Sequence, residues 1–518
     1  MKAHPRLAAA VLLAALLAAC GRPGSREPEA PLPPAIRSLQ VTRHAAQLAV
    51  NGDAEPWSRY WAEPDTVYAD LSHTPGLAYS LLVGNNTFFP GGLPEGYDPQ
   101  ALMEWGKYPG LNFDLLHARG FTGKGAVVAY IDQYLTPHPE YDGENLHIFN
   151  HEGENLRSMH GPAVMTLLAG KDIGAAPEAE VYYFSRIPDA DVQLHSAECL
   201  YRVLALNETL PEGEKISMVG FSSNISSGRS YEEEFREAVR ACEEAGIMVW
   251  FCGDYGIASF LPMADKNDPD NLMEQYQRTS SPALTYVPAG GRTVACAFDP
   301  TVYYYDSCGG LSWTMPYALG LYAIALSIDP SLTKADIRDL ARNTACMWQG
   351  DKRLVDPAGF TAAVLDRAGR SAEAEELRQA VRARQKYLYA VLDLQALSGE
   401  DLRAVLDALA WITEAKVLVA DASRFADAPA LYDAIRADAE ERGGAPAGYQ
   451  LFGEAPAPTD GSLPVWRLVL EPGEYAAFLR EYRAAALTGE PDTLPQGVLF
   501  PPNRAGMAIC DSSGSLGN

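Results

Sequence analysis

From Gly120 onward, short continuous apolar runs alternate with longer segments of helical period. Ala126-Val127-Val128-Ala129-Tyr130-Ile131 is the clearest run, and it stops at Asp132. An uninterrupted apolar run of this length predicts a central parallel strand, here with a carboxylate at its carboxyl edge. A helix opened by His160-Gly161-Pro162 and continuing to Ala169 follows. The pattern then predicts a strand over Val181–Phe184, a helix over Val192–Leu206 and a strand over Ile216–Phe221. An acidic-faced amphipathic helix over Tyr231–Ala245 comes next, then strands over Ile247–Cys252 and Thr293–Phe298. Strands alternating with helices of this length argue for an α/β fold built on a parallel sheet. Functional sites in such sheets sit at the carboxyl ends of the strands, where Asp132 and Gly253-Asp254 fall.

The longest apolar segment starts at a serine. Gly309-Gly310-Leu311-Ser312-Trp313-Thr314-Met315-Pro316 leads into Tyr317–Leu326, which reads as a buried helix with Pro316 in its first turn. A hydroxyl there lies at the positive end of the helix dipole, a favourable place for an attacking oxygen and the anion it creates. Taken alone, Ser312 suits an N-cap equally well.

The flanking segments are less regular. Residues 35–105 hold short possible strands at Ser38–Thr42 and Thr66–Ser72 and a turn cluster at Gly91–Gly96. They read as a pro-region or as an N-terminal extension packed on the next domain. The absence of a visible pro-region pattern favours an extension that stays attached, and a mature chain beginning near Leu102 would contradict it. After the capped helix that starts near Thr333, Leu354–Pro357 and Phe360–Leu365 close the unit that spans 106–369. Arg370–Gln385 is a charged helix with the look of a linker. In 370–518, strands at Tyr387–Leu392, Lys416–Val419, Tyr449–Phe452 and Val465–Leu470 alternate with helices at Gly399–Trp411, Ala428–Glu441 and Pro472–Ala485. This is a second, smaller α/β unit of unknown role, and the stretch after Gly489 reads as loop.

The first 34 residues change the picture of location. Met1–Arg6 is short and basic, and Leu7–Ala19 is an Ala/Leu/Val run too short to span a bilayer, as in a signal peptide. It ends in Leu17-Ala18-Ala19-Cys20-Gly21, which resembles a bacterial lipoprotein cleavage box. That resemblance implies removal of residues before Cys20, lipidation of Cys20, and a protein anchored to the cell membrane on its extracytoplasmic side. Residues 21–34, rich in Pro and charge, suit a disordered tether.

Composition sets outer bounds. At 518 residues, roughly two or three domains are expected. With 67 acidic residues against 41 Lys and Arg, the net charge of −26 argues against nucleic acid or an anionic lipid surface as partner. Besides Cys20 the cysteines are 199, 242, 252, 296, 308, 346 and 510, scattered and without metal-like spacing. Most read as buried thiols; Cys242 with Cys252, or Cys296 with Cys308, are pairings left open.

Asp132, His160 and Ser312 acquire meaning together. Gly123–Asp132 resembles the strand that delivers the aspartate in subtilisin-like serine peptidases. His160–Gly170 resembles that family's histidine helix, and Gly174–Ala179 the turn and strand that follow it. Gly310–Pro316 resembles its nucleophile helix, and Asp329–Thr333 its closing segment. The order Asp, His, Ser is the subtilisin order. The resemblance covers about 106–368 and implies a subtilisin-like parallel sheet with flanking helices. It also implies a serine endopeptidase in which Ser312 attacks a peptide carbonyl, His160 relays the proton and Asp132 orients the imidazole. Singly, Asp132 suits a strand-end cap and His160 a helix start.

Several positions depart from the family pattern. The family's oxyanion asparagine is matched by Asp254, after Gly253. An ionised carboxylate there repels an oxyanion, whereas a protonated one donates to it. Val219, Gly220 and Phe221, with Gly253, stand where the family lines its substrate cleft, but without its usual Ser-Leu-Gly. Trp313 beside the nucleophile is expected to narrow the cleft, and Ala163 stands where a second histidine is usual. Calcium, a stabiliser common in the family, finds no identifiable ligand set. The implied partner is a peptide or protein substrate. Two other readings remain: a pseudopeptidase that binds peptides or a surface partner, and an acyl hydrolase that acts on esters.

Overall fold

In the computed structural model, described residues run from 70 to 392, apart from 74–77, 80, 95, 153–157, 188–190, 275–283, 297–298, 349–351 and 385. They also include most of 416–438 and short strands at 36–38, 445–446 and 466–467. Cys20, the tether, the strand expected over Tyr449–Phe452, and the helices expected over Gly399–Trp411 and Pro472–Ala485 lie outside them.

The elements that position the site are β1 (Val127–Asp132), β2 (Leu146–Phe149), α1 (His160–Ala169), β3 (Glu180–Ser185), α2 (Val192–Thr209), β4 (Met218–Phe221), α3 (Glu232–Glu244) and β5 (Met248–Phe251). A short turn, Cys252–Asp254, leads into β6 (Tyr255–Phe260), followed by β7 (Thr285–Gly290), β8 (Arg292–Ala295) and β9 (Tyr303–Asp306). Then come α4 (Leu311–Ile328), α5 (Lys334–Thr344), β10 (Lys352–Leu354), α6 (Pro357–Arg367) and α7 (Ser371–Arg384).

β1 is the middle strand of a five-stranded sheet of order β2-β3-β1-β4-β5, and every pairing in it is parallel. Its side chains alternate between two cores, as strand periodicity requires. Val128 and Tyr130 join the cluster under α1 and α4, whereas Val127, Ala129 and Ile131 join the one under α2 and α3. Both faces are therefore dry, which explains the unbroken apolar run. Asp132 continues the Val128–Tyr130 side, the side on which α1 lies.

The turn after β5 carries the chain into a second sheet, in which β6, β7 and β10 are parallel and the outer strands antiparallel. α4 packs on both sheets. It is long and apolar enough to cross a membrane, but 78% of that stretch is buried inside the protein. Close approach explains two glycines. A Cβ at Gly320 would stand 2.6 Å from Ala175 Cβ, and one at Gly220 would stand 2.8 Å from Leu319 Cδ2.

Residues 70–117 are fastened to this body. Val83–Gly84 extends β9, and the helix Pro99–Lys107 lies on β8, where a Cβ on Gly106 would meet Thr293 Oγ1 at 2.2 Å. Thr293 Oγ1 donates to Met103 O at 2.8 Å, and Trp105 Nε1 donates to Ala264 O at 2.8 Å. Buried Lys266 donates to Gly106 O, Tyr108 O and Gly291 O. A cut near Leu102 would divide this helix. Ile36–Ser38 behaves differently: it pairs antiparallel with Lys416–Asp421, which runs parallel to Lys386–Leu392 in a separate sheet.

Several expectations are corrected. The strand expected from Thr293 is β8, and it pairs antiparallel with β9 in a separate three-stranded sheet rather than joining the parallel one. Strands β6 and β7 were not foreseen, because Gly256, Ser259, Pro288 and Gly290 interrupt their apolar character. Asp70–Ser72, the described end of one expected strand, is a turn closed by Ser72 N–H and Asp70 Oδ1. The charged helix α7 is no linker: it buries Ala374 and Leu377 against the main core, and Arg378 pairs with Asp366 of α6. Pro316 lies inside α4 and not in its first turn. None of Cys199, Cys242, Cys252, Cys296, Cys308 and Cys346 is in a disulfide, so neither suggested pairing forms.

Gly320→Val tests the contact between α4 and the sheet. Overpacking of this kind costs typically about 1–3 kcal/mol. The urea midpoint of the variant should fall, with an unchanged m-value.

Candidate active site

β1 ends with Asp132 fully buried. Its Oδ1 accepts the Gln133 backbone N–H at 2.7 Å and faces His160 Nδ1 at 2.5 Å. Because a carboxylate only accepts, Nδ1 carries the hydrogen, which leaves Nε2 of a neutral imidazole as the acceptor. Burial pushes the Asp132 carboxyl upward. The His160 charge and hydrogen bond, the Arg186 charge and the Gln133 N–H outweigh it and hold the group below its ordinary value. Asp132 Oδ2 is buried with no hydrogen-bond partner among the described residues.

The first turn of α1 places His160. Its N–H donates to Ser158 Oγ at 3.0 Å, and Ser158 Oγ in turn donates to the Gln133 side chain. Gly161 allows the helix to abut the end of β1. A Cβ there would lie 2.5 Å from Tyr134 O and 2.7 Å from Gln133 O.

Ser312 is the second residue of α4, after the extended Gly310. Asp306 Oδ1 accepts from Cys308 N at 2.8 Å and Gly309 N at 3.0 Å, turning the chain into the helix. Gly309 has φ +57°, and a Cβ on it would meet Ala289 O at 2.2 Å. Pro316 then has a local consequence. It lacks the N–H that would bond the carbonyl four residues earlier, so Ser312 O is left without its helical partner. Ser222 Oγ donates to that carbonyl at 2.9 Å. Ser312 Oγ returns the bond, donating to Ser222 O at 3.2 Å. Since the Ser222 hydrogen is committed to Ser312 O, Tyr130 OH is the donor in its 2.5 Å contact with Ser222 Oγ. Burial, with the Asp132 charge adding to it, pushes the Tyr130 phenol well above its ordinary value, so it stays protonated.

The site residues read from the sequence therefore fall into two bonded groups. Asp132 and His160 are joined directly. Ser312 joins Ser222 and Tyr130, its hydroxyl bonded to a carbonyl and not to the imidazole. Asp254 is turned toward α5, its Oδ2 3.1 Å from Arg338, and its side chain is 43% exposed. A carboxyl kept neutral needs an apolar enclosure, and this one faces a guanidinium. Gly253 N donates to Asn224 Oδ1 at 2.7 Å, and a Cβ on Gly253 would meet that oxygen at 2.4 Å.

Two readings of the cleft are corrected. Val219, Gly220 and Phe221 are buried in β4, with Val219 and Phe221 in the core under α2 and α3. Ser222–Asn224, just beyond the strand, is the segment that meets Ser312 and Gly253. Trp313 packs in the main core, so it does not narrow a cleft. The signal that was missed is the polar break Ser222-Ser223-Asn224 directly after an apolar strand. Tyr130 gave no signal, because inside an apolar run it reads as core. Among the described residues no group of three His, Cys, Asp or Glu is placed to hold a metal ion. A hollow of about 430 Å³ lined by Glu104, Lys107, Asp114, His117, Lys171 and Asp172 shares no residue with this constellation.

No protein-family model and no curated protein matches the sequence. Among solved structures, the chain is similar to proteases from Pseudoalteromonas arctica, with 16% identity and a TM-score of 0.38, covering 52% of this chain and 98% of that one. It is also similar to the prenylagaramide maturation protease PagA, with 13% identity and a TM-score of 0.36, covering 49% of this chain and 98% of that one. A third is fervidolysin from Fervidobacterium pennivorans, a keratinolytic enzyme related to subtilisin. It has 15% identity and a TM-score of 0.37, covering 47% of this chain and 43% of that one. Likenesses of this size leave the chemistry to be argued from the side chains.

The lowered Asp132 carboxyl makes a signed prediction. Its charge stabilises the folded state above the ordinary aspartate value of about 3.9. That contribution is lost as pH falls from there through the depressed folded value, because the unfolded chain takes up the proton first. The difference in unfolding free energy between the native protein and Asp132→Asn should be present above about pH 4 and shrink below it. A difference independent of pH would contradict this.

Proposed function

We propose that the protein is a subtilisin-like serine endopeptidase, carried on the extracytoplasmic side of the cell membrane by a lipid on Cys20. The observation that carries the reading is the buried Asp132–His160 pair at the end of β1, with Ser312, which opens a buried helix, held at the end of the neighbouring strand β4 by Ser222. In the reaction, rotation of the Ser312 side chain takes Oγ from Ser222 O to His160 Nε2. Hydrogen bonds in an unliganded site are often formed only when substrate arrives. Oγ then attacks the peptide carbonyl, His160 accepts its proton and passes it to the leaving amine, and Asp132 stabilises the imidazolium. Of the first-turn N–H groups of α4, Trp313 N–H is bonded to Gly310 O at 2.8 Å, and the ones before it are left to face developing negative charge at the positive end of the dipole.

Asp254 occupies the side on which the family places its oxyanion amide. The ion pair with Arg338 argues for an ionised carboxylate there, one that slows the reaction instead of donating to it. A specific observation also favours a second reading, a peptide-binding pseudopeptidase: the Ser312 hydroxyl is engaged by Ser222 O, and a carboxylate stands where a donor is needed.

A fluorophosphonate serine probe applied from pH 4 to 9 to the protein lacking residues 1–20 separates the two. The native protein should be labelled and Ser312→Ala should not. Folded native protein left unlabelled throughout would overturn the peptidase, and peptide binding equal in Ser312→Ala would then support the binding protein. Asp254→Asn should raise the labelling rate at neutral pH, by up to about the 10²–10³ that one oxyanion donor is worth. Cys20→Ser in the full chain should move the protein from the membrane fraction to the soluble one.

A further inference from the structure

Arg186 follows β3 at the carboxyl edge of the sheet, and its backbone N–H donates to Asp132 O at 2.7 Å. It is 7% exposed. Its Nε is buried without a partner, and among the described residues its guanidinium makes no hydrogen bond and no ion pair. Five arginines nearer the surface behave otherwise: Arg236, Arg338, Arg367, Arg378 and Arg384 pair with carboxylates. The other deeply buried arginine, Arg292, donates to Ile173 O. A buried charge without a partner is costly. In a chain with 67 acidic residues its isolation is not for want of acids.

Burial pushes the Cys199 thiol of α2 to about 11 and the Cys252 thiol beyond β5 to about 12, and in both the Arg186 charge pulls the other way. Its field thus reaches from α2, across the end of β1, to the turn before Asp254. On the α2 side Arg202 and Glu198 act on the same Cys199 thiol, Glu198 being already paired with His195, and His151 Nδ1 lies 2.7 Å from Ser185 Oγ. His151 Nε2 is buried and unpartnered as well. Asp132 offers only a distant counter-charge, and that charge is shared with His160.

We propose that Arg186 is a carboxylate-binding subsite of the cleft, selecting peptides that carry an Asp or Glu side chain close to the scissile bond. The planar guanidinium fork matches a carboxylate with two parallel hydrogen bonds, a geometry that a carboxamide cannot reproduce with the same charge. This rests on the peptidase reading given above.

The test compares matched peptides with Asp or Asn, and Glu or Gln, at each position within a few residues of the cut. The native protein should favour the acid at one position by on the order of 10- to 100-fold in kcat/KM, as expected for a hydrogen-bonded charge. Arg186→Gln should lose that preference, the ratio of kcat/KM for acid over amide peptides falling toward one. Arg186→Lys, which keeps the charge, should retain part of it, and thermal melts of both variants report whether they fold. A uniform fall on all peptides with unchanged selectivity would mean that Arg186 only balances Asp132, and would overturn the subsite. Ser312→Ala gives the same comparison as dissociation constants. Absence of turnover by the native protein therefore overturns the peptidase, and absence of acid preference in either format overturns the subsite.

Discussion

A proline inside a buried helix ties the site together. Pro316 removes one helical hydrogen bond, and the carbonyl it releases belongs to Ser312. Ser222 at the end of β4 fills that vacancy and receives the Ser312 hydroxyl in return. The result is a two-way clasp between a sheet edge and a helix start, with Tyr130 of the neighbouring strand supporting the Ser222 hydroxyl. An uninterrupted helix would have no reason to hold that serine against β4. The cost of an interior proline is met here by a side chain from the adjoining sheet. Gly220 and Gly320 let α4 come close enough for this to happen.

Buried charge is handled in three distinct ways. Asp132 is surrounded by donors and keeps its charge. Lys266 is fully enclosed and gives its hydrogens to three main-chain carbonyls, so it acts as a clamp between the helix Pro99–Lys107 and the β7–β8 junction. Burial nonetheless drives its ammonium well below the ordinary lysine value. Arg186 alone has neither acid nor carbonyl at its head among the described residues. The first case orients an imidazole and the second holds a structure together. The third has no internal task that the packing reveals.

Much of the first sheet was legible in the sequence because its strands are buried on both faces. An apolar run such as Val127–Ile131 carries no competing period, and the helices between the strands run to 10, 18 and 13 residues. The second sheet was not legible. β6 and β7 contain glycine, serine and proline where they pack closely, as at Gly290, where a Cβ would stand 2.4 Å from Ser307 O, and such residues read as loop. Asp132, His160 and Ser312 could be picked out because each stands at a strand end or helix start. Ser222, Asn224 and Arg338 could not, since their roles come from neighbours about 30 to 90 residues away. The cleft was misassigned by one strand register: residues in β4 were credited with contacts that belong to the turn after it.

The clasp and the lysine clamp also set an order of assembly. Thr293 meets Met103 across 190 residues, Lys266 meets Gly106 across 160, and Ser312 meets Ser222 across 90. Contacts of such separation close slowly, after local helices and neighbouring strands have formed. On a ribosome, Asp132 and His160 emerge and can pair long before α4 exists. Ser312 is among the last pieces of the body to be delivered, so a nascent chain holds a sheet and a bonded carboxylate and imidazole well before the serine reaches β4.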